Sequence, residues 1–269
     1  MGQTTHRRQC PAATAPVVHS RRVRPLLPGP VALVLRTVVV LVVVVGVLWV
    51  PDAPASAPAL TTADLDGKLR YFTIQSNLLL ALVLAWSVVA GLAGRRGPSG
   101  WLVGGATFCV TVTFLVYNTV LAPGGGPDAV LLISGMPSSD LLHVVAPLLA
   151  LLDWVLGRRH PGFTVRRSLL WLLYPLVYLG VSLLVGSRNG FYPYFFMDPA
   201  QIGGRAVAVY VVVLLVLFAV LALLFAGLDR LLGRGRRTAG DGAGVAGVTG
   251  GTSGPRGEFG LRADNEPPE

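Results

Sequence analysis

Apolar residues in this chain fall into six blocks separated by short polar stretches: Pro30–Val50, Phe72–Ala93, Trp101–Leu121, Leu141–Gly157, Ser168–Val185 and Ala206–Leu228. Leu33 to Val50 contains one charge, Arg36, and Ala206 to Leu228 contains none. A run of about 20 apolar residues crosses a hydrocarbon core of about 30 Å as an α-helix, and the fourth block is at the short end of that range. Lipid offers no partners for backbone amides, so each span must satisfy its own, which a helix does. The alternation that a membrane β-barrel requires is not seen. The pattern predicts an all-α polytopic membrane protein, a bundle of six transmembrane helices.

Composition agrees with the pattern. Of 269 residues, 53% are hydrophobic and 13% charged, where a soluble domain carries about 25% charged residues; the mean hydropathy is +0.65. The net charge of +9 does not point to nucleic acid, because the cations sit in clusters between apolar blocks. Arg7-Arg8, Arg21-Arg22-Arg24, Arg95-Arg96, Arg158-Arg159, Arg166-Arg167 and Arg234-Arg236-Arg237 all fall on one side of an alternating topology. The loops on the other side hold only Lys68, Arg70, Arg188 and Arg205. The bias predicts both termini in the cytoplasm of a cell-membrane protein, with Arg36 snorkelling toward the cytoplasmic face. Three segments follow: a basic arm (1–29), a transmembrane domain (30–232) and a disordered Gly-rich tail (233–269). Ala53-Pro54-Ala55-Ser56-Ala57 after the first block resembles a signal-peptide cleavage site, but the block exceeds the usual signal core of about 7–15 residues and reads as a retained span.

The chain lacks HExxH, GxSxG and Walker motifs. The GxGxxG at Gly242–Gly247 has neither the preceding strand nor the following helix of a dinucleotide site. Cys10 and Cys109 fall in different compartments, so no disulfide, metal site or cofactor is expected. The expected partners are membrane lipids; the oligomeric state is left open.

Polar residues within spans are costly and tend to mark function. Here they gather at one depth. The second helix enters from outside with Arg70-Tyr71-Phe72-Thr73-Ile74-Gln75-Ser76-Asn77; the third leaves with Tyr117-Asn118-Thr119; the fourth enters with Ser138-Ser139-Asp140-Leu141-Leu142-His143. Thr73, Ser76 and Asn77 share a helix face, as do Asp140 and His143. Ser138 or Ser139 is placed to cap the fourth helix, and His143 is the one histidine inside a span. Blander roles compete: a membrane Thr often bonds its own i−4 carbonyl, and an Asn often joins two helices. His160 lies in a basic cytoplasmic segment and reads as solvated, Asp153 as an ion-pairing residue beside Arg158 and Arg159, and Trp49, Trp86, Trp101, Trp154 and Trp171 as interfacial anchors.

The segments Arg70–Leu78, Asp140–Pro147 with Asp153-Trp154, and Phe191–Asp198 resemble, in order, motifs of small bacterial multi-span proteins related to the androgen-induced (AIG/FAR-like) membrane proteins of animals. The resemblance spans roughly residues 30–230. It implies a membrane-embedded Thr and His that hydrolyse fatty acyl esters, matching Thr73 and His143 here. In that reading Asp140 orients the imidazole, Asn77 or Asn118 donates to the oxyanion, and Ser76 supports the site. The alternative is a non-enzymatic small-molecule or lipid binding or transport protein with a polar outer cavity.

Overall fold

A computed structural model describes residues 26–27, 29–49, 62, 65–121, 137–157, 160 and 162–246. Every regular element among them is helical. The main helices are α1 (Gly29–Leu48), α2 (Phe72–Leu92), α3 (Gly100–Leu121), α4 (Leu141–Gly157), α5 (Val165–Asn189) and α6 (Gly204–Ala246). Five of these are long and apolar enough to cross a membrane; α4 is apolar but shorter. The helical path of α4 starts earlier, however, at a turn spanning Pro137–Asp140. Helix α6 runs on past Gly233 into the segment expected to be disordered, while 247–269, most of the basic arm and Ala53–Ala57 lie outside the described residues.

Helices α1 to α4 form a closed ring: α1 packs on α2, α2 on α3, α3 on α4, and α4 on α1. Its centre is aliphatic, with Val39, Leu80, Leu84, Val103, Val110 and Ala150 buried together. The α5–α6 pair lies against α3 through a second, aromatic core that includes Phe108, Trp154, Phe163, Trp171 and Phe225. Trp154 and Trp171 are therefore core residues rather than interfacial anchors. Gly104 and Gly105 make room for Trp171: a Cβ at either would stand 3.0 or 2.8 Å from its indole ring. The outward faces carry large apolar side chains, such as Leu82, Val89 and Leu92 on α2, each at least 65% exposed. So much contiguous apolar surface is unfavourable in water and suits lipid.

Two buried polar clusters tie the end of the bundle where α4 finishes. Arg36 donates from Nε to Asp153 Oδ1 (2.9 Å) and from Nη2 to the Gly157 carbonyl (2.8 Å). The cation expected to snorkel instead turns inward across the α1–α4 contact. It neutralises the Asp153 carboxylate and caps α4, both favourable because α4 ends in unpaired carbonyls. His160, expected to be solvated, is buried, with Nδ1 at 2.8 Å from Asp229 Oδ1 and Nε2 at 3.3 Å from the Val155 carbonyl. The second oxygen of Asp229 accepts the Gly162 and Phe163 amides at 2.7 and 2.8 Å, fastening the α4–α5 connection to α6.

Candidate active site

The other end of the ring holds the polar set. Thr73 stands in the first turn of α2, which follows Tyr71 in an extended conformation. Backbone N–H groups there have no intrahelical acceptor. The position also separates Thr73 from four other span threonines. Thr37, Thr111, Thr113 and Thr119 each return their hydroxyl to the carbonyl four residues back. The Thr73 hydroxyl is directed across the bundle, and its Oγ1 lies 3.1 Å from Nε2 of His143 on α4.

The imidazole is held on three sides. Its Nδ1 is 2.9 Å from the Ser139 carbonyl and 3.3 Å from the Ser139 hydroxyl. Because a carbonyl only accepts, Nδ1 carries the hydrogen and Nε2 presents its lone pair to Thr73. The Tyr117 ring stacks on the imidazole at 3.9 Å and 21°, and its hydroxyl oxygen accepts from Ser139 Oγ at 2.8 Å. Both rings sit on π-turns, Tyr117–Leu121 and Leu141–Val145, local widenings that occur often at functional sites. The contacts to Nδ1 come from Ser139, the residue before Asp140. Asp140 is itself buried at the start of α4. Since the helical path begins at Pro137, Ser139 lies inside it, where its hydroxyl serves Tyr117.

Asn77 fixes the spacing of the pair. Its Nδ2 donates to the Thr73 carbonyl at 2.8 Å and to the Leu142 carbonyl at 3.1 Å, so one buried amide links the turn bearing Thr73 to the turn bearing His143. With both amide hydrogens engaged, Asn77 is a clamp and not the oxyanion donor it was expected to be. Ser76 donates to the Thr73 carbonyl (3.1 Å) and contacts the Thr113 hydroxyl (2.9 Å), joining α2 to α3. Asn118 donates to the Phe114 carbonyl at 2.8 Å and lines neither of the cavities that meet at Thr73.

Tyr194 is a further residue of the site, which the sequence pattern does not mark. The Thr73 N–H donates to its hydroxyl oxygen at 3.4 Å. The ring lies parallel to Phe196 at 5.3 Å and edge-on to Tyr71 at 6.0 Å. Burial pushes the Tyr194 hydroxyl above the usual tyrosine range, and hydrogen bonds from Thr73 act in the opposite sense. The available signal was weak: an aromatic loop, Phe191 to Phe196, distant from Thr73 in sequence.

Two cavities meet at Thr73. A vestibule of about 400 Å³ is lined by Lys68, Tyr71, Thr73, Tyr117, Ser139 and His143, among others. Lys68 donates there to the Val47 carbonyl at 2.9 Å, at the end of α1. A narrow slot of about 50 Å³ runs between α2, α3, α5 and α6 with almost wholly apolar walls. Thr73, Leu121 and Tyr194 belong to both. Among the described residues no cluster of His, Cys, Asp and Glu is placed to hold a metal ion. No protein-family model, curated protein or solved structure matches this chain.

Proposed function

We propose that the protein is a threonine-type hydrolase of lipid esters, inserted in the cell membrane through six helices with both termini in the cytoplasm. The topology rests on the distribution of Arg and Lys and on the helical path from Pro137 to Gly157, which at 1.5 Å per residue reaches about 30 Å. The observation that carries the chemistry is the 3.1 Å contact between Thr73 Oγ1 and His143 Nε2, with Nδ1 committed to a carbonyl. The resemblance of Arg70–Leu78 and Asp140–Pro147 to the androgen-induced membrane protein family points the same way.

Thr73 Oγ1 attacks the ester carbonyl carbon as its proton passes to His143 Nε2. The electron pair displaced onto the carbonyl oxygen is met by the Tyr194 hydroxyl, which burial keeps protonated. Collapse breaks the bond to the alcohol oxygen, and that oxygen takes the proton from Nε2. Water then attacks the acyl-threonine, gives a proton to Nε2 and releases the acid, and the proton returns to Thr73. The Ser139 carbonyl holds one tautomer throughout and stabilises the imidazolium that forms in each half.

The purified protein in detergent is treated with a fluorophosphonate probe. Labelling of the wild type that disappears in Thr73→Ala and His143→Ala is expected; labelling unchanged in Thr73→Ala removes the nucleophile. The vestibule also suits a second reading, a non-enzymatic binding or transport protein. That reading predicts flux in liposomes that persists in Thr73→Ala.

A further inference from the structure

A third cavity shares Tyr178 with the slot but includes neither Thr73 nor His143. It is a groove between the approach to α2 and one face of α5, where Val177, Val181, Val185 and Asn189 follow one another at intervals of four residues. That spacing keeps side chains on one helix face. The three valines are exposed on a helix long and apolar enough to cross a membrane, so in a bilayer this stretch of the groove faces hydrocarbon.

Several of its polar groups are engaged with the protein itself. Tyr174 donates to Gln75 Oε1 at 3.1 Å, Gln75 Nε2 to the Leu69 carbonyl at 2.7 Å, and Tyr178 to the Arg70 carbonyl at 2.9 Å. Two donors are left near the end of α5. The guanidinium of Arg70, an exposed residue, lies over the Phe191 ring at 5.2 Å. The ion pairs among the described residues are Arg36–Asp153 and His160–Asp229, and the groove is lined by no Asp or Glu. Asn189 Oδ1 accepts the Phe191 N–H at 3.0 Å, which fixes the amide so that Nδ2, with its two hydrogens, is the group to spare. The groove therefore carries a cation and an amide donor at the end of an apolar trough. A guanidinium pairs with phosphate oxygens through two parallel hydrogen bonds.

We infer that this groove binds a phospholipid of net negative charge, its phosphate on Arg70 and Asn189 and an acyl chain along Val177, Val181 and Val185. A zwitterionic phospholipid offers the same phosphate but brings its own cation beside Arg70, and a free phosphate has no use for the valines. The site is separate from the Thr73–His143 pair and does not depend on the hydrolase reading.

Native mass spectrometry of the detergent-purified full chain, titrated with phosphatidylglycerol and phosphatidylcholine of the same acyl chains, tests the site. Phosphatidylglycerol is expected to bind tighter by about fivefold or more, the factor one Arg contributes beside an anionic lipid. Arg70→Gln brings the two lipids to equal affinity. Val181→Trp, which fills the trough, weakens both and reports on the groove even if Arg70→Gln does not fold. Arg205→Gln removes the same charge outside the groove and keeps the preference. Equal binding of the two lipids by the wild type, a preference lost equally in Arg205→Gln, or wild-type affinities in Val181→Trp would each overturn the site. Displacement of phosphatidylglycerol by an excess of inorganic phosphate would make the ligand a free anion and overturn the lipid assignment. Ester hydrolysis plays no part in the readout, so failure here and failure of the hydrolase reading are seen separately.

Discussion

The hydroxyl of Thr73 and the imidazole of His143, on helices that enter the bundle from the same end, meet at 3.1 Å. A hydrogen bond of that length is ordinary; its setting is not. The far nitrogen of the ring is pinned to the Ser139 carbonyl, and Asn77 spans the two backbone turns that carry the pair. A threonine that merely packed in a membrane helix would need none of this.

Loss of either partner should lower turnover steeply. Thr73→Ala and His143→Ala are expected to reduce kcat by about 10²–10⁴-fold, the range of general-base catalysis, while melting temperature in detergent changes little. Thr73→Ser, which keeps a hydroxyl, should retain measurable activity. Steady-state ester hydrolysis beside a melting curve for each variant checks this.

The sequence reveals the helices and this pair because both follow from strong local rules: apolar blocks of span length, and polar residues that lipid tolerates only for a reason. Its silence elsewhere has physical causes. Ser139 acts through a backbone carbonyl, which residue identity does not report. Tyr194 arrives from a loop whose path depends on how α5 and α6 pack. Trp154, Trp171 and His160 sit near helix ends, where interfacial and buried residues have the same composition; the second layer of helices buries these three. Arg36 reads as snorkelling from sequence, because only the packing of α1 on α4 brings it to Asp153.

Tyr194→Phe removes the proposed oxyanion donor and keeps the ring stacked on Phe196. Loss of one such donor typically costs about 10²–10³ in kcat, so a fall of that order with KM nearly unchanged is expected. Because burial holds the Tyr194 hydroxyl above the tyrosine range, normally about 10, its ionisation should not limit activity at or below neutral pH. A pH–rate profile of wild type and variant, differing in height but not in shape below pH ~8, checks the assignment.

Asn77→Leu deletes the clamp between the Thr73 and Leu142 carbonyls. Interhelical hydrogen bonds in membranes are worth about 0.6 kcal/mol on average and up to about 1.7, so a stability loss near 1 kcal/mol is expected, with a larger fall in kcat as the Thr73–His143 distance relaxes. Detergent unfolding together with ester kinetics separates the two effects.

Arg36 and Asp153 are buried together, at 12% and 1% side-chain exposure. Breaking such a pair from either side costs about 3–5 kcal/mol where it is buried; Arg36→Leu and Asp153→Leu should each destabilise strongly. The double variant should recover much of the loss, because an apolar pair of similar volume often replaces a buried ion pair without penalty. Activity, read at the opposite end of the bundle, should follow the folded fraction only.

The central claim is that Thr73 carries the acyl group between the two halves of the reaction, and mass spectrometry of the protein quenched in acid during turnover of p-nitrophenyl butyrate tests it most directly. A butyryl adduct on the peptide containing Thr73, absent from His143→Ala, is the predicted result. An ester hydrolysed at full rate with the adduct on another residue, or undiminished in Thr73→Ala, would contradict the account.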